Sequence, residues 1–151
     1  MFVSLLQSLP IYSGLFGAAF LAATLLPMQS EALLVGLLFS KKYSVLLLVV
    51  AASCGNILGA IVNWWFGRYF DQFRHRSWFP VKEHRLNQAK YWYHRYGRWS
   101  LLLSWAPIIG DPITVVAGVL GEPLLYFVLI AGTAKILRYL ALTAATLNWL
   151  V

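Results

Sequence analysis

The sequence predicts an all-α polytopic membrane protein: two inverted repeats, each a re-entrant helical hairpin followed by a spanning helix, with an amphipathic cytoplasmic loop helix between them. Three observations predict it. Hydrophobic residues fill 60% of 151 positions and charged residues only 11%, with a mean hydropathy of +0.69, whereas a soluble domain carries about 25% charged residues to solvate its surface. Two proline-broken apolar segments each precede a longer apolar run. Eight of the twelve basic residues fall between Arg68 and Arg98. A spanning helix takes about 20 apolar residues, so the chain has room for roughly four to six membrane segments in a single domain.

Residues 1–40 hold one charge, Glu31, and two prolines, Pro10 and Pro27. No basic residue precedes Lys41, so the charged start of a cleaved signal peptide is missing and Met1 onward reads as mature protein. Lys41 and Lys42 mark an interface. Tyr43–Gly67 then runs 25 residues without a charge and closes with Trp64 and Trp65, aromatic residues suited to the headgroup boundary. It reads as the first spanning helix, and repeat one covers about residues 11–67.

The basic loop, residues 68–98, follows. Leu86, Ala89, Tyr93 and Tyr96 recur at helical spacing, while Lys82, Arg85, Lys90 and Arg95 fall largely elsewhere. That pattern predicts a helix lying on the membrane surface; a solvated linker helix has the same signature. The net charge of +7 is concentrated beside membrane spans, so it reads as positive-inside bias meeting anionic headgroups rather than as a nucleic-acid surface. The loop is therefore assigned to the cytoplasm, with Lys41 and Lys42 outside.

From Trp99 the chain is apolar but interrupted by Pro107, Gly110, Asp111, Pro112, Gly118, Gly121 and Pro123. Proline removes helix hydrogen bonds, and broken backbone at membrane depth survives only inside protein or along a wet cavity. A second re-entrant hairpin is the expected solution. Leu124–Val151 is the last spanning helix, with Lys135 and Arg138 near its middle and Trp149 near its end; repeat two covers about residues 99–151. The halves echo each other, since Pro27 precedes Glu31, and Pro107 precedes Asp111, by four residues. A hairpin followed by a crossing helix puts the next hairpin on the opposite face, which makes the repeats inverted.

Glu31, Asp111, Lys135 and Arg138 are the candidate substrate-binding residues, with Glu31 and Asp111 as the proton-coupling pair. A charge at the bilayer centre costs about 2.5–3.5 kcal/mol on insertion scales, so such residues must pair or face water. Lys135 and Arg138 share a helix face by their spacing. Salt bridges that only lock the fold are the structural alternative, but buried pairs add little net stability over apolar replacements. Arg68 joins the candidate set; its alternative is an arginine snorkelling to a headgroup. Asn56 and Asn63, seven apart on one face, suggest a polar interior. Gly55 and Gly59 form a small-xxx-small pattern for close helix packing.

The lone cysteine, Cys54, has no intrachain partner. His75, His84 and His94 lack the spacing of a one-face metal site, and no nucleophile elbow or phosphate-cradling glycine loop occurs. Neither an enzyme, a metal nor a cofactor is expected.

These motifs together resemble the DedA superfamily, also called the SNARE-associated Golgi protein or VTT-domain family, and within it the short bacterial YqaA-like branch. The resemblance runs from about Leu15 to Arg138. It is carried by Leu26-Pro27-x-x-Ser30-Glu31, Gly55-Asn56-x-x-Gly59, Gly67-Arg68, the run Leu103 to Asp111, Ala117-Gly118 and Lys135-x-x-Arg138. It implies two inverted re-entrant hairpins, an inner-membrane location and a role in moving lipids or a polyprenyl-phosphate carrier across bilayers. Glu31 then matches the hairpin acid. Typical members place arginines around the second hairpin's proline, where this chain has Trp105 and Gly110; the resemblance thus leaves phosphate to Arg68, Lys135 or Arg138, or else implies a different substrate.

The function expected is translocation of an anionic or phosphate-bearing lipid headgroup, with possible proton coupling. The partners are membrane lipids and not nucleic acid; oligomeric state is left open. A proton-coupled transporter of a small soluble ion or metabolite, and a non-transport scaffold binding partner helices through Gly55 and Gly59, are the alternatives.

Overall fold

The computed structural model describes residues 2–24, 29–70, 77, 82–106 and 110–149, and every regular element among them is helical. In order these are α1 (Phe2–Thr24), α2 (Gln29–Phe39), α3 (Val45–Phe70), α4 (Glu83–Tyr96), a 3-10 helix (Gly97–Trp105), α5 (Gly110–Val119) and α6 (Leu124–Trp149). The predicted breaks at Pro27 and Pro107 lie outside the described residues, as do His75 and the end of the last helix at Val151. The described elements on either side of these two prolines are bounded by Thr24 and Gln29 and by Trp105 and Gly110. Pro10, by contrast, sits inside α1 without ending it.

Among the described residues two helices are long and apolar enough to cross a membrane: α3 over its 25 residues Val45–Tyr69, and the 26-residue α6. At about 1.5 Å per residue each exceeds the roughly 30 Å hydrocarbon layer. Their outer faces carry exposed Leu46, Val50 and Leu58 on α3, and Leu125, Leu129, Leu137 and Leu140 on α6. Apolar side chains displayed in rows on spanning helices suit lipid and not water.

Contacts along α3 and α6 set the direction of every other element. Gly55 faces the Phe16 carbonyl and Gly59 faces Phe20 and Ala23, so α1 runs the same way as α3. A Cβ on Gly59 would stand 2.6 Å from the Ala23 Cβ and 2.7 Å from the Phe20 oxygen; only glycine allows the backbones this close. Ser30 meets Tyr139, and Phe39 lies beside Thr146 and Trp149, so α2 returns along α6. α6 is antiparallel to α3, with Phe127 on Trp64 and Lys135 on Asn56. The 3-10 helix follows α6 from Arg98 beside Tyr126 to Trp105 beside Ala134. α5 then comes back along α3, from Thr114 beside Asn63 to the turn where Gly121 lies beside Arg68, with Gly67 and Gly118 allowing the two backbones to touch. The pair α1–α2 therefore opens at the end that holds Lys41, and the pair formed by the 3-10 helix and α5 opens at the end that holds Arg68.

Apolar packing falls into two clusters. One gathers Leu15, Leu34, Leu48, Ala52 and Tyr139 toward the Lys41 end. The other gathers Trp64, Leu101, Ile113, Val116 and Phe127 toward the Arg68 end. Asn56 on α3 and Lys135 on α6 fall between them.

Two expectations need correction. Trp64 is buried at 8% exposure and donates its indole N–H to the Glu122 carbonyl at 3.0 Å. It is a core residue, because Gly118 brings α5 hard against this part of α3; Trp65, half exposed, is the one that faces outward. On α4, Ala89 and Tyr93 pack into the second apolar cluster while Tyr96 stays exposed. The helical stripe read as membrane-facing thus docks largely on protein, against α5 and the 3-10 helix.

Candidate functional site: an interior charge cluster

Spacing on α6 sets up the site. Lys135, Arg138 and Tyr139 occupy one face because positions three and four apart are helix neighbours. The Lys135 ammonium, buried at 2% exposure, donates to Asn56 Oδ1 at 2.5 Å and lies 3.7 Å from Asp111 Oδ1. Arg138 pairs with Glu31 through Nη2 and Oε1, the two side chains keeping 18% and 24% exposure. Lys135 and Arg138 are neighbours on α6, so the two pairs form one cluster.

The acids arrive from the two broken segments. Glu31 lies in the first turn of α2 and Asp111 in the first turn of α5, where the positive end of the helix dipole favours a carboxylate. Side-chain hydrogen bonds link these segments to the spanning helices. Asn56 Nδ2 donates to the Tyr139 hydroxyl at 3.1 Å, and that hydroxyl shares a 3.0 Å bond with Ser30. Asn63 Nδ2 donates to the Ala23 carbonyl at 2.8 Å and reaches Thr114 Oγ1 at 3.4 Å. Thr114 in turn donates to the Asp111 carbonyl at 2.7 Å. One asparagine therefore touches the end of α1 and the start of α5 together. A buried polar group lacking such partners would cost about 1–3 kcal/mol, so the network keeps the polar starts of α2 and α5 tolerable in an apolar setting.

Four of the five sequence-designated residues come together here. Arg68 does not. It is exposed at the end of α3, 5.4 Å above the Trp64 ring and beside Gly121. The Gly67–Val115 contact fixes the register of α3 on α5 and leaves the next residue outside the bundle. Asn56 and Asn63 lie in the polar interior, as their spacing suggested. Sequence reasoning missed Tyr139 and the role of Ser30, although Tyr139 stands four residues after Lys135 and Ser30 adjoins Glu31. It also missed Glu122, whose carboxylate accepts the Tyr93 hydroxyl at 2.5 Å.

A carboxylate–cation cluster between two helices long and apolar enough to cross a membrane defines a helical membrane protein with an ionisable interior. The chain belongs to the VTT-domain family, whose model matches residues 26–147. It is similar to inner membrane protein YqaA of Escherichia coli (strain K12), 37% identical over 145 residues and covering 94% of each chain. An uncharacterized protein of Haemophilus influenzae is 34% identical over 135 residues, covering 85% of this chain and 82% of that one. Undecaprenyl phosphate transporter A of Staphylococcus aureus is 27% identical over 119 residues, covering 72% of this chain and 59% of that one. No solved structure matches. With two helices able to cross a bilayer and relatives of this similarity, the chain is an integral protein of the bacterial inner membrane.

Proposed function

We propose that the protein translocates an anionic, phosphate-bearing lipid headgroup across the inner membrane, using Lys135 and Arg138 to bind it and Glu31 and Asp111 to exchange protons. In this reading α1–α2 and the 3-10–α5 pair are re-entrant hairpins entering from opposite faces, the repeats are inverted, and the end bearing Arg68 is cytoplasmic. The observation that carries it is the pairing of two acids with two bases where both broken segments converge on α6. Four charges retained in an apolar interior are costly, and ionisable groups at such depth mark transport pathways. The relative named as an undecaprenyl phosphate transporter favours a lipid phosphate over a soluble ion.

The chemistry follows from charge balance. The cluster is neutral when both acids are ionised and both bases charged. Protonation of Glu31 releases Arg138, whose guanidinium then holds a phosphate oxygen through charge-assisted hydrogen bonds. One proton enters for each negative charge that the headgroup carries, up to two, so the interior stays neutral. Deprotonation of Glu31 returns it to Arg138 and expels the headgroup. Asp111 and Lys135 repeat the exchange beside it.

A scaffold role loses its main support, because Gly55 and Gly59 are already occupied by α1 within the chain. The test is reconstitution into liposomes with a fluorescent lipid phosphate, scored for headgroup crossing with and without a pH gradient. Crossing that is lost in Arg138→Gln and in Glu31→Gln is the expected result. A soluble anion transported while lipid stands still would replace this reading with a small-ion transporter.

A further inference from the structure

A second polar cluster lies well away from the interior one, at the turn between α5 and α6. The turn is closed by Gly121, at a φ of 75°, with the Glu122 N–H bonded to the Ala117 carbonyl at 2.9 Å. It tucks the Glu122 side chain inward at 10% exposure. One carboxylate oxygen takes the Tyr93 hydroxyl, and the other stands 3.5 Å from Nε of Arg98.

Two arginines from different elements meet this turn. Arg98, on the 3-10 helix and 48% exposed, lies over the Tyr126 ring at 4.7 Å. Arg68, at the end of α3, lies over the Trp64 ring at 5.4 Å. Its Nη1 would stand 3.4 Å from a Cβ at residue 121, which places the guanidinium beside the turn. Stacking on an aromatic face holds a guanidinium plane in place while leaving its edge free to bond. Arg98 meets Glu122 through Nε, and a guanidinium has further N–H donors beyond that one. The turn also leads into the N-terminus of the 26-residue α6, the positive end of its dipole. Among the described residues, two cations, Arg68 and Arg98, meet this turn and one carboxylate, Glu122, faces it.

We propose that Arg68 and Arg98 form a phosphate-monoester site at this end of the protein, separate from the interior cluster and loading it. The site's role rests on the translocation reading above; its existence does not. A monoester carries about −1.5 to −2 charges at neutral pH and three acceptor oxygens, enough to be shared between two preset guanidiniums. A diester such as a phosphatidylglycerol headgroup presents fewer acceptors and a single charge, so the site discriminates between them.

The full chain in nanodiscs tests this, with bound phosphatidic acid counted by native mass spectrometry as its fraction rises, against phosphatidylglycerol and phosphatidylcholine. One phosphatidic acid is expected to bind preferentially. Arg68→Gln and Arg98→Gln are each expected to weaken it about tenfold, the size of one lost charge-assisted hydrogen bond. Lys135→Gln with Arg138→Gln is expected to leave this lipid bound. Because Arg98→Gln unpairs Glu122, the combination Arg98→Gln with Glu122→Gln accompanies it, and Arg68→Gln stands alone as the variant without a buried partner. Displacement by millimolar inorganic phosphate supports the site with the free ion as its source; persistence supports it with a lipid headgroup as its source. Unchanged binding in the doubly substituted Arg68→Gln/Arg98→Gln protein overturns the proposal, and so does full retention in Arg68→Lys/Arg98→Lys, since diffuse charge would then suffice. If no variant or wild type moves lipid but this binding pattern holds, the translocation reading fails and the site remains.

Discussion

Lys135 on α6 donates to Oδ1 of Asn56 on α3 at 2.5 Å, a shorter contact than its 3.7 Å approach to Asp111. The neutral amide is therefore the anchor of the ammonium, and the carboxylate is the looser partner, free to exchange. Asn56 holds Tyr139 with its other end, so a single side chain positions both. Asn56→Leu strips an acceptor from a buried cation and a partner from a buried hydroxyl. It is expected to destabilise the protein by about 1.5–3 kcal/mol, the range for hydrogen bonds to charged groups, seen as a lower Tm in detergent. Asn56→Asp instead gives Lys135 a second carboxylate. Stability is expected to hold while lipid crossing falls, and undiminished crossing in that variant would separate Lys135 from transport.

The Arg138–Glu31 pair permits a cleaner division of structure from function. Removing one partner of a buried pair costs about 3–5 kcal/mol; partial exposure here brings the expectation to about 2 kcal/mol for either Glu31→Gln or Arg138→Gln. In the double variant no charge is left unpaired, so the two losses should not add, and a thermal-unfolding cycle should show coupling of about 1 kcal/mol or more. Transport, if the pair carries it, stays absent in the double variant even as stability recovers. Recovery of both together would make the pair purely structural.

Much of this arrangement was legible because charge in an apolar chain is so costly that it must be explained. Glu31, Asp111, Lys135 and Arg138 stood out on that ground alone, and Asn56 and Asn63 by their spacing. What could not be read was direction in space. Trp64 and Trp65 are equivalent in sequence, and only the Gly118 contact decides which one is buried. Arg68 follows the same logic, its side determined by how α5 seats on α3. Tyr139 and Glu122 escaped notice for another reason: a tyrosine in a spanning helix and a glutamate in a turn are each ordinary until their partners, far along the chain, are known.

Gly59 offers a test of the α1–α3 contact. A methyl group there would meet Ala23 and the Phe20 carbonyl at less than van der Waals distance. Both obstacles belong to a packed helix, not to the tip of a flexible side chain. Gly59→Ala is expected to cost about 1–3 kcal/mol through overpacking, and Gly59→Leu to abolish folding. Gly132, whose added Cβ would meet only Ile57 at 3.6 Å, serves as the control: Gly132→Ala should be neutral or mildly stabilising. Equal Tm values for Gly59→Ala and Gly132→Ala would remove the case for close backbone approach.

Tyr93 supplies a pH signature outside the spanning helices. Burial pushes its phenol above the usual tyrosine range; the hydrogen bond to Glu122 and the charge of that carboxylate push the same way, and Arg98 opposes them. In the unfolded chain the same phenol ionises near pH 10. Above that pH the folded state therefore holds a proton that the unfolded state has lost, and stability must fall as pH rises. The contribution is complete below about pH 10 and drains away above it. Tyr93→Phe removes the titrating group, so its stability should fall less steeply than wild type from about pH 9 to about pH 11. At neutral pH the same variant should start lower by about 1.5 kcal/mol, because the Glu122 carboxylate loses the donor that accompanies its burial. Parallel curves for the two proteins would mean that the phenol is not held by Glu122, and the clamp that docks α4 onto the α5–α6 turn would have to rest on Ala89 and apolar packing alone.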